Sequence, residues 1–498
     1  MSAPSSKRRT SRPNRNQLRI ESLENRQMMA GDLDPTFGYG FGITTTDFDK
    51  GSLISDLAFQ ADGRVVALGK TSLGGGSSNF ALARYNSDGS LDTTFGGVGV
   101  PQGLTVTDFG QVYNESVSIA VLPDGKILTG GSSQFGLGYN ISLARYDSDG
   151  ALDASFANGG KLEIKPDPGD SLELVEMVVT QDKILLVSRT TLIHLNLDGS
   201  ADNSFGSNGW IEKSSFGLPP GVNFRSADYN NGTYTLGMRG VDQIEYVMRL
   251  NGDGSLDQTF GSGGIVSMDF VIGSGSITKV LQLDDGSVLG ISEGSSDDIF
   301  KLDATGSPDS GFNVNGVYET YASMSFNDIV EQPSGAIVAV GRGESPESQS
   351  LAMRLTHDGQ LDESFGIDGV RQFDLGSTNE ANSVLGYANG KVLLGGNLAG
   401  NFFLARLTGN ASEPGNQIGD KSVSTDTTHQ MIPMQSIGHW FVDVGGSNTI
   451  GQMLNDYMSS PALIVDRGGQ VAPRTMTSRS TQNRSAGPGQ DKEVQAID

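Results

Sequence analysis

The sequence predicts an all-β chain, a seven-bladed β-propeller of four-stranded repeats of about 55 residues, and three observations carry that expectation. A phrase, Asp-x-Ser/Thr-Phe-Gly-x-x-Gly followed by an apolar residue, recurs seven times, with steps of 49 to 61 residues between copies. Tight-turn dipeptides between apolar runs recur with it: Asp62-Gly63, Asp124-Gly125, Asn231-Gly232, Asp285-Gly286, Ser334-Gly335 and Asn389-Gly390. Each unit then ends in a further apolar strand such as Phe80-Ala81-Leu82-Ala83-Arg84-Tyr85. Seven phrases and seven final strands count out a closed ring, which removes exposed sheet edges. A parallel β-helix would repeat in far fewer residues per turn.

The phrase is expected to be scaffold. Its aspartates are Asp34, Asp92, Asp153, Asp202, Asp257, Asp309 and Asp362, and its rings are Phe37, Phe95, Phe156, Phe205, Phe260, Phe312 and Phe365. A carboxylate before a turn accepts hydrogen bonds from backbone N–H groups just ahead of it. One large ring per unit fills the seam against a neighbour. Two copies deviate, with Ala157 after the third ring and Asn313 after the sixth. The third unit also replaces the turn dipeptide by Gln181-Asp182-Lys183.

The final strand carries a recurrent cation, Arg84, Arg145, Arg249, Arg354 and Arg406, with His194 and Lys301 in the other two units. An arginine on an apolar strand requires an acidic or carbonyl partner, and the recurrent aspartate is a candidate.

Of 498 residues, 69 are glycine and none is cysteine, so there is no disulfide framework, thiolate nucleophile or Cys-based zinc site. The formal charge is −24, yet residues 1–30 hold seven basic and two acidic side chains. The acidic remainder repels phosphate backbones and argues against nucleic-acid binding. No apolar run is long enough to suggest a transmembrane segment.

The expected organisation is a basic, export-type leader over 1–31, the ring over 32–408, a polar linker over 409–430, a small apolar appendage over 431–466 and a disordered tail over 467–498. The ends are thus expected to be flexible extensions.

Two resemblances follow from these residues. Leu91-Asp92-Thr93-Thr94-Phe95-Gly96 and Asp124-Gly125-Lys126 resemble the delta-60 repeat, a bacterial family. That resemblance covers about 370 of the 498 residues and implies a β-propeller-like fold with no catalytic residues to transfer. Leu23-Glu24-Asn25-Arg26-Gln27-Met28-Met29 resembles the LEPR-XLL segment that opens many exported planctomycete proteins, with Asn25 in place of the family's proline. It implies an exported protein at the cell surface or envelope.

No residue set is selected for catalysis. Asp147-Ser148-Asp149-Gly150 suggests a calcium loop, but Arg145 stands at the first ligand position and the distal glutamate is missing. No metal or cofactor is therefore expected, with calcium left as the alternative that this ligand spacing does not support. His194, His357, His429 and His439 show no zinc spacing.

The expected function is a non-enzymatic extracytoplasmic binding or scaffold role, in a monomeric ring, toward an envelope polysaccharide or protein. The alternative is a secreted hydrolase or lyase using carboxylates at the channel mouth. The regular turns and phrases fall on one rim and the variable loops on the other. Aromatics in those loops, Tyr113, Phe135, Tyr139, Phe216 and Phe224, are the candidate ligand contacts.

Overall fold

The computed structural model describes residues 29–409, apart from 50, 97–101, 167–170, 241–243, 269–275, 295–296, 321–323, 344–347 and 376. The linker, appendage, tail and nearly all of the leader lie outside the described residues. Within them the chain forms seven four-stranded antiparallel sheets, the blades of a propeller. The first blade runs from its inner strand Ser52–Phe59 through Val65–Gly74 and Ser77–Tyr85 to its outer strand Leu104–Thr107.

The blade and the sequence repeat are out of phase by one strand. The strand after each phrase is the outer strand of the preceding blade, not the first strand of its own. The first such strand, Ile43–Thr46, therefore has no preceding blade in sequence and pairs with Asn401–Leu407 of the seventh. Both ends of the ring thus share one sheet, with Asn379–Gly386 as its inner strand. Opening the ring would require separating that sheet, which makes closure cooperative with blade folding. The closure begins before residue 32, because the Gly31 N–H donates to the Thr408 carbonyl at 2.9 Å.

Burial alternates along inner strands such as Ser52–Phe59. Second and third strands lie between two faces of neighbouring sheets and read as continuous apolar runs, such as Lys183–Ser188 and Thr191–Asn196. The core is accordingly a succession of inter-blade clusters. One joins Ile54, Leu57 and Ala83 of the first blade to Leu393, Phe402 and Leu404 of the last.

Every inner strand carries a register shift at the same place. The residues after it are Asp56, Ser118, Glu176, Ser226, Lys279, Asp328 and Ser383. A bulge places an extra residue on one strand and re-aims the side chains beside it. Here it builds one ring of side chains around the channel.

Candidate functional site

Three places could carry function: the repeated phrase, the channel and the irregular rim. The phrase proves to be an inter-blade clamp. Arg84 donates from Nε to Asp92 Oδ2 at 2.8 Å, from a terminal nitrogen to Thr94 Oγ1 at 3.2 Å, and from the other to the Ser148 carbonyl of the next blade at 2.6 Å. Its guanidinium lies 4.8 Å from the Phe95 ring. The Nε–carboxylate bond recurs at Arg145–Asp153, Arg249–Asp257, Arg354–Asp362 and Arg406–Asp34. Lys301 reaches Asp309 at 3.3 Å. In the third blade His194 replaces arginine, binding Asp202 through Nδ1 at 3.0 Å and Tyr234 through Nε2 at 2.8 Å. Burial lowers the His194 pKa despite Asp202, so the imidazole is neutral.

Each phenylalanine of the phrase is buried. Phe95 packs on Gly150 of the next blade so closely that a Cβ there would lie 2.6 Å from the ring. Asp92 shows the electrostatic consequence: burial opposes its ionisation, but Thr94, Arg64 and Arg84 hold its pKa down to about 2. Among the described residues the clamp carboxylates are paired with cations inside the protein, which fits a structural role.

The channel holds a second arrangement, which breaks sevenfold symmetry. Three of the seven post-bulge residues are acids, three are serines and one is Lys279. The ring is stitched circumferentially: Asp56 accepts from the Ile119 N–H at 2.9 Å, Ser118 from Met177 at 3.1 Å, Ser226 from Val280 at 3.1 Å and Asp328 from Val384 at 2.8 Å. Each bond crosses to the next blade. Lys279 instead reaches inward, lying 3.4 Å from Glu176 and 3.6 Å from Asp328, so it links the third, fifth and sixth blades across the channel.

One layer nearer the regular rim, Asp228 stands where other blades place Ala58, Ala120, Val178, Leu281 and Leu385. Burial pushes the Asp56 carboxyl up to about 7 and Asp228 up to about 6. Burial works against the Lys279 ammonium, but Glu176, Asp328, Asp56 and Asp228 outweigh it and hold its pKa above the ordinary value. Together these groups line a cavity of about 100 Å³. That volume admits a few waters but not a sugar ring.

Sequence reading missed this cluster. Its trace is positional: the ring residue lies six places before the hairpin turn in six units, and five before Asn231 in the fourth. Aligning the units on their turns exposes the column.

The strand order places the hairpins between inner and second strands on the same rim as the phrases. The other rim carries the variable loops. There Phe135 is 55% exposed and Leu137 fully so at the tip joining Ile127–Phe135 to Gly138–Tyr146, with Val112 exposed on a neighbouring loop. The Lys165 ammonium lies 5.6 Å from the Phe135 ring. Tyr139 is half-buried. Tyr113 is half-buried too, accepting from Lys70 Nζ at 3.3 Å and donating to Glu115 at 3.4 Å.

Phe216 is half-buried and lines a groove of about 550 Å³ with Trp210, Glu212 and Leu256. Phe224 differs from the other candidates. It is wholly buried in the cluster between the third and fourth blades, meets Phe216 edge-on at 6.4 Å, and offers no face to a ligand. Its neighbours Asn223 and Arg225 face the other way, because alternation along a strand sends every second side chain inward. The candidates therefore form two sectors, with Tyr113, Phe135 and Tyr139 around the second blade and Phe216 beyond the third.

Comparison with a family model agrees with the architecture. A family model described as a domain of unknown function (DUF5122) beta-propeller matches residues 60–95, 122–156 and 246–260. Among solved structures, Sqt1 from Chaetomium thermophilum bound to the N-terminus of ribosomal protein L10 is similar at 12% identity, covering 73% of this chain and 98% of that one, with a TM-score of 0.44. A structure described as glucose dehydrogenase is similar at 9% identity, covering 74% and 99%, with a TM-score of 0.36. A protein of unknown function from Bacteroides caccae is similar at 13% identity, covering 50% and 98%, with a TM-score of 0.26. No curated protein matches the chain. These distant likenesses transfer no ligand or activity.

Proposed function

We propose that this β-propeller repeat protein is a non-enzymatic binding or scaffold module that engages a polysaccharide, protein or other envelope component through its irregular rim. The observation that carries this reading is the projecting tip of Phe135 and Leu137, whose apolar surface serves no core. Exposed apolar groups rimmed by polar ones suit recognition. The channel supports the alternative of a hydrolase or lyase less well, since its charged groups pair with one another around a cavity too small for a saccharide.

Export to the cell surface or envelope belongs to the same reading and is supported by the basic leader with its LEPR-XLL-like phrase. Cell fractionation tests it, and full-length chain found only in the cytosol contradicts it.

The binding reading is tested by screening the purified chain on a glycan array, an envelope-protein panel and hydrolase substrates. Serine at Tyr113, Phe135, Tyr139 and Phe216 together is expected to abolish the binding found while moving the melting midpoint by only a few degrees. Phe224 is excluded because its loss would unfold the core. Turnover of a substrate, or binding that survives the fourfold change, overturns the assignment.

A further inference from the structure

On the irregular rim, four blades place a cation at the channel-mouth end of the second strand, under a pairing rule, a glutamate partner, that three of them satisfy and one does not. The rule concerns the inner-strand residue two places before each bulge residue, namely Leu53, Glu115, Glu173, Asn223, Ser276, Ser325 and Glu380. Opposite several of them on the second strand stand cations: Lys70 faces Leu53, Arg239 faces Asn223 and Arg342 faces Ser325. In two cases the cation is met by the glutamate of the following blade. Lys70 reaches Glu115 at 2.9 Å, and Arg342 reaches Glu380 at 3.9 Å. In the third blade Arg189 holds Glu173 of its own blade through two bonds, at 2.7 and 2.8 Å.

Arg239 of the fourth blade has the same position as Lys70 and Arg342, but the fifth blade supplies Ser276 where a glutamate would stand. Arg225, the bulge residue of the fourth blade, adds a second guanidinium. Its Nε is buried without a hydrogen-bond partner. Among the described residues, no carboxylate comes within ion-pair distance of either arginine. Burial, Arg189 and Arg239 all work against the Arg225 charge, and the attraction of Glu173 and Glu293 does not offset them. A guanidinium nevertheless stays protonated, so an acceptor is needed. Facing this sector on the fifth blade, the Ser276 and Thr278 hydroxyl oxygens are also buried and unpartnered, Ser276 being 6% exposed.

We propose that this mouth, between the fourth and fifth blades, binds the carboxylate of a sugar acid, with Arg225 and Arg239 as cationic donors and Ser276 and Thr278 as hydroxyl donors. This deepens the rim reading and rests on it. The missing group is a carboxylate because that is what fills the corresponding place beside Lys70 and Arg342. A uronate fits better than an acidic side chain of a peptide, since its ring hydroxyls adjoin the carboxylate and suit the neighbouring unpartnered Ser276 and Thr278 hydroxyls. The net charge of −24 disfavours a densely charged polymer, so the ligand carries isolated carboxylates.

The test is calorimetric or NMR titration of the full chain with methyl glucuronide, using methyl glucoside and N-acetylglutamate amide as the other arms. Methyl glucuronide is expected to bind at least about tenfold more tightly than either, and Arg225→Gln or the exposed Arg239→Gln to weaken it at least about tenfold, the effect of losing one charge-assisted bond. Ser276→Glu builds the missing carboxylate into the protein and is expected to abolish uronate binding without lowering the melting midpoint. Glucuronide binding no better than glucoside, or unchanged in Arg239→Gln and Ser276→Glu, overturns the proposal. Tighter binding of N-acetylglutamate amide overturns the sugar assignment in favour of a peptide. Ligand capture lost in the aromatic-to-serine variant but intact in Arg225→Gln and Arg239→Gln would sink this site and leave the rim reading standing.

Discussion

Arg406 donates from Nε to Asp34 Oδ2 at 2.7 Å, closing a contact between residues 372 apart in the chain. Both side chains are almost wholly buried, Lys391 adds a second bond to the same oxygen at 2.8 Å, and Arg406 continues to the Ser87 carbonyl of the first blade. The same clamp that joins neighbouring blades elsewhere here joins the beginning of the ring to its end.

Breaking this pair should therefore cost more than a local contact. Asp34→Ala removes the acceptor of two cations and of the Thr36 N–H and hydroxyl, leaving Arg406 buried and unpaired. Removing one partner of a buried pair costs about 3–5 kcal/mol. Urea unfolding of Asp34→Ala checks this, and a loss below about 1 kcal/mol would show that strand pairing alone holds the ring closed.

Most of this clamp was legible in the sequence, because each member recurs as a residue type at fixed spacing from the others. Asp92 and Phe95 identify themselves by repetition, and Arg84 follows from the need to neutralise a charge on an apolar strand. The phase of the blades was not legible. The string Ile43–Thr46 reads the same whether it joins the sheet before it or after it, and only the pairing with Asn401–Leu407 decides. The channel cluster was hidden for the opposite reason. Asp56, Glu176, Lys279 and Asp328 are of three residue types, come from different units and share only a bulge that no residue identity announces. Phe224 was misplaced as a loop aromatic because the link from residue 217 to 222 ends one residue before the strand Asn223–Asn230 turns that ring inward.

Lys279 is the sole cation in the channel ring among the described residues, and four carboxylates hold it charged. Lys279→Met keeps the length of the side chain but leaves Glu176 and Asp328 facing each other without a counter-charge. Stability at pH 7 is expected to fall by about 3–5 kcal/mol. Lowering the pH toward 5 should restore part of it as the carboxyls take up protons. A variant equally unstable at both pH values would remove the electrostatic explanation.

Asp56 predicts a trend of the same sign in the unmodified protein. Its carboxyl sits at about 7 in the folded chain, chiefly through burial, against an ordinary aspartate value near ~4 when unfolded. Between those values the folded state holds a proton that the unfolded state has released. Stability contributed at this site therefore declines as pH rises from ~4 to about 7 and is level outside that window, by a few kcal/mol at most. Asp56→Asn, which stays neutral and retains an acceptor for the Ile119 N–H, should flatten that decline. Melting curves of the two proteins that run parallel between pH 4 and 7 would refute the assignment.

Ala157 offers a gain of stability. It occupies the place after the ring where Gly206, Gly261 and Gly366 sit at φ of 52°, 55° and 60°, and its own φ is 41°. Asn313, the other departure from glycine, sits at 42°, in a region asparagine enters more readily because its side chain bonds locally. Alanine has no such compensation, and the left-handed conformation costs it about 1–2 kcal/mol. Glycine removes that strain but raises the entropy of the unfolded chain, by about 0.5–1 kcal/mol. Ala157→Gly is thus expected to stabilise the fold by about 0.5–1 kcal/mol, whereas Gly206→Ala should destabilise it. The second change adds strain and brings a Cβ within 2.5 Å of the Trp210 carbonyl oxygen. Denaturation midpoints of the two variants give the comparison directly. If Ala157→Gly destabilises, the turn is held by packing that outweighs its backbone strain.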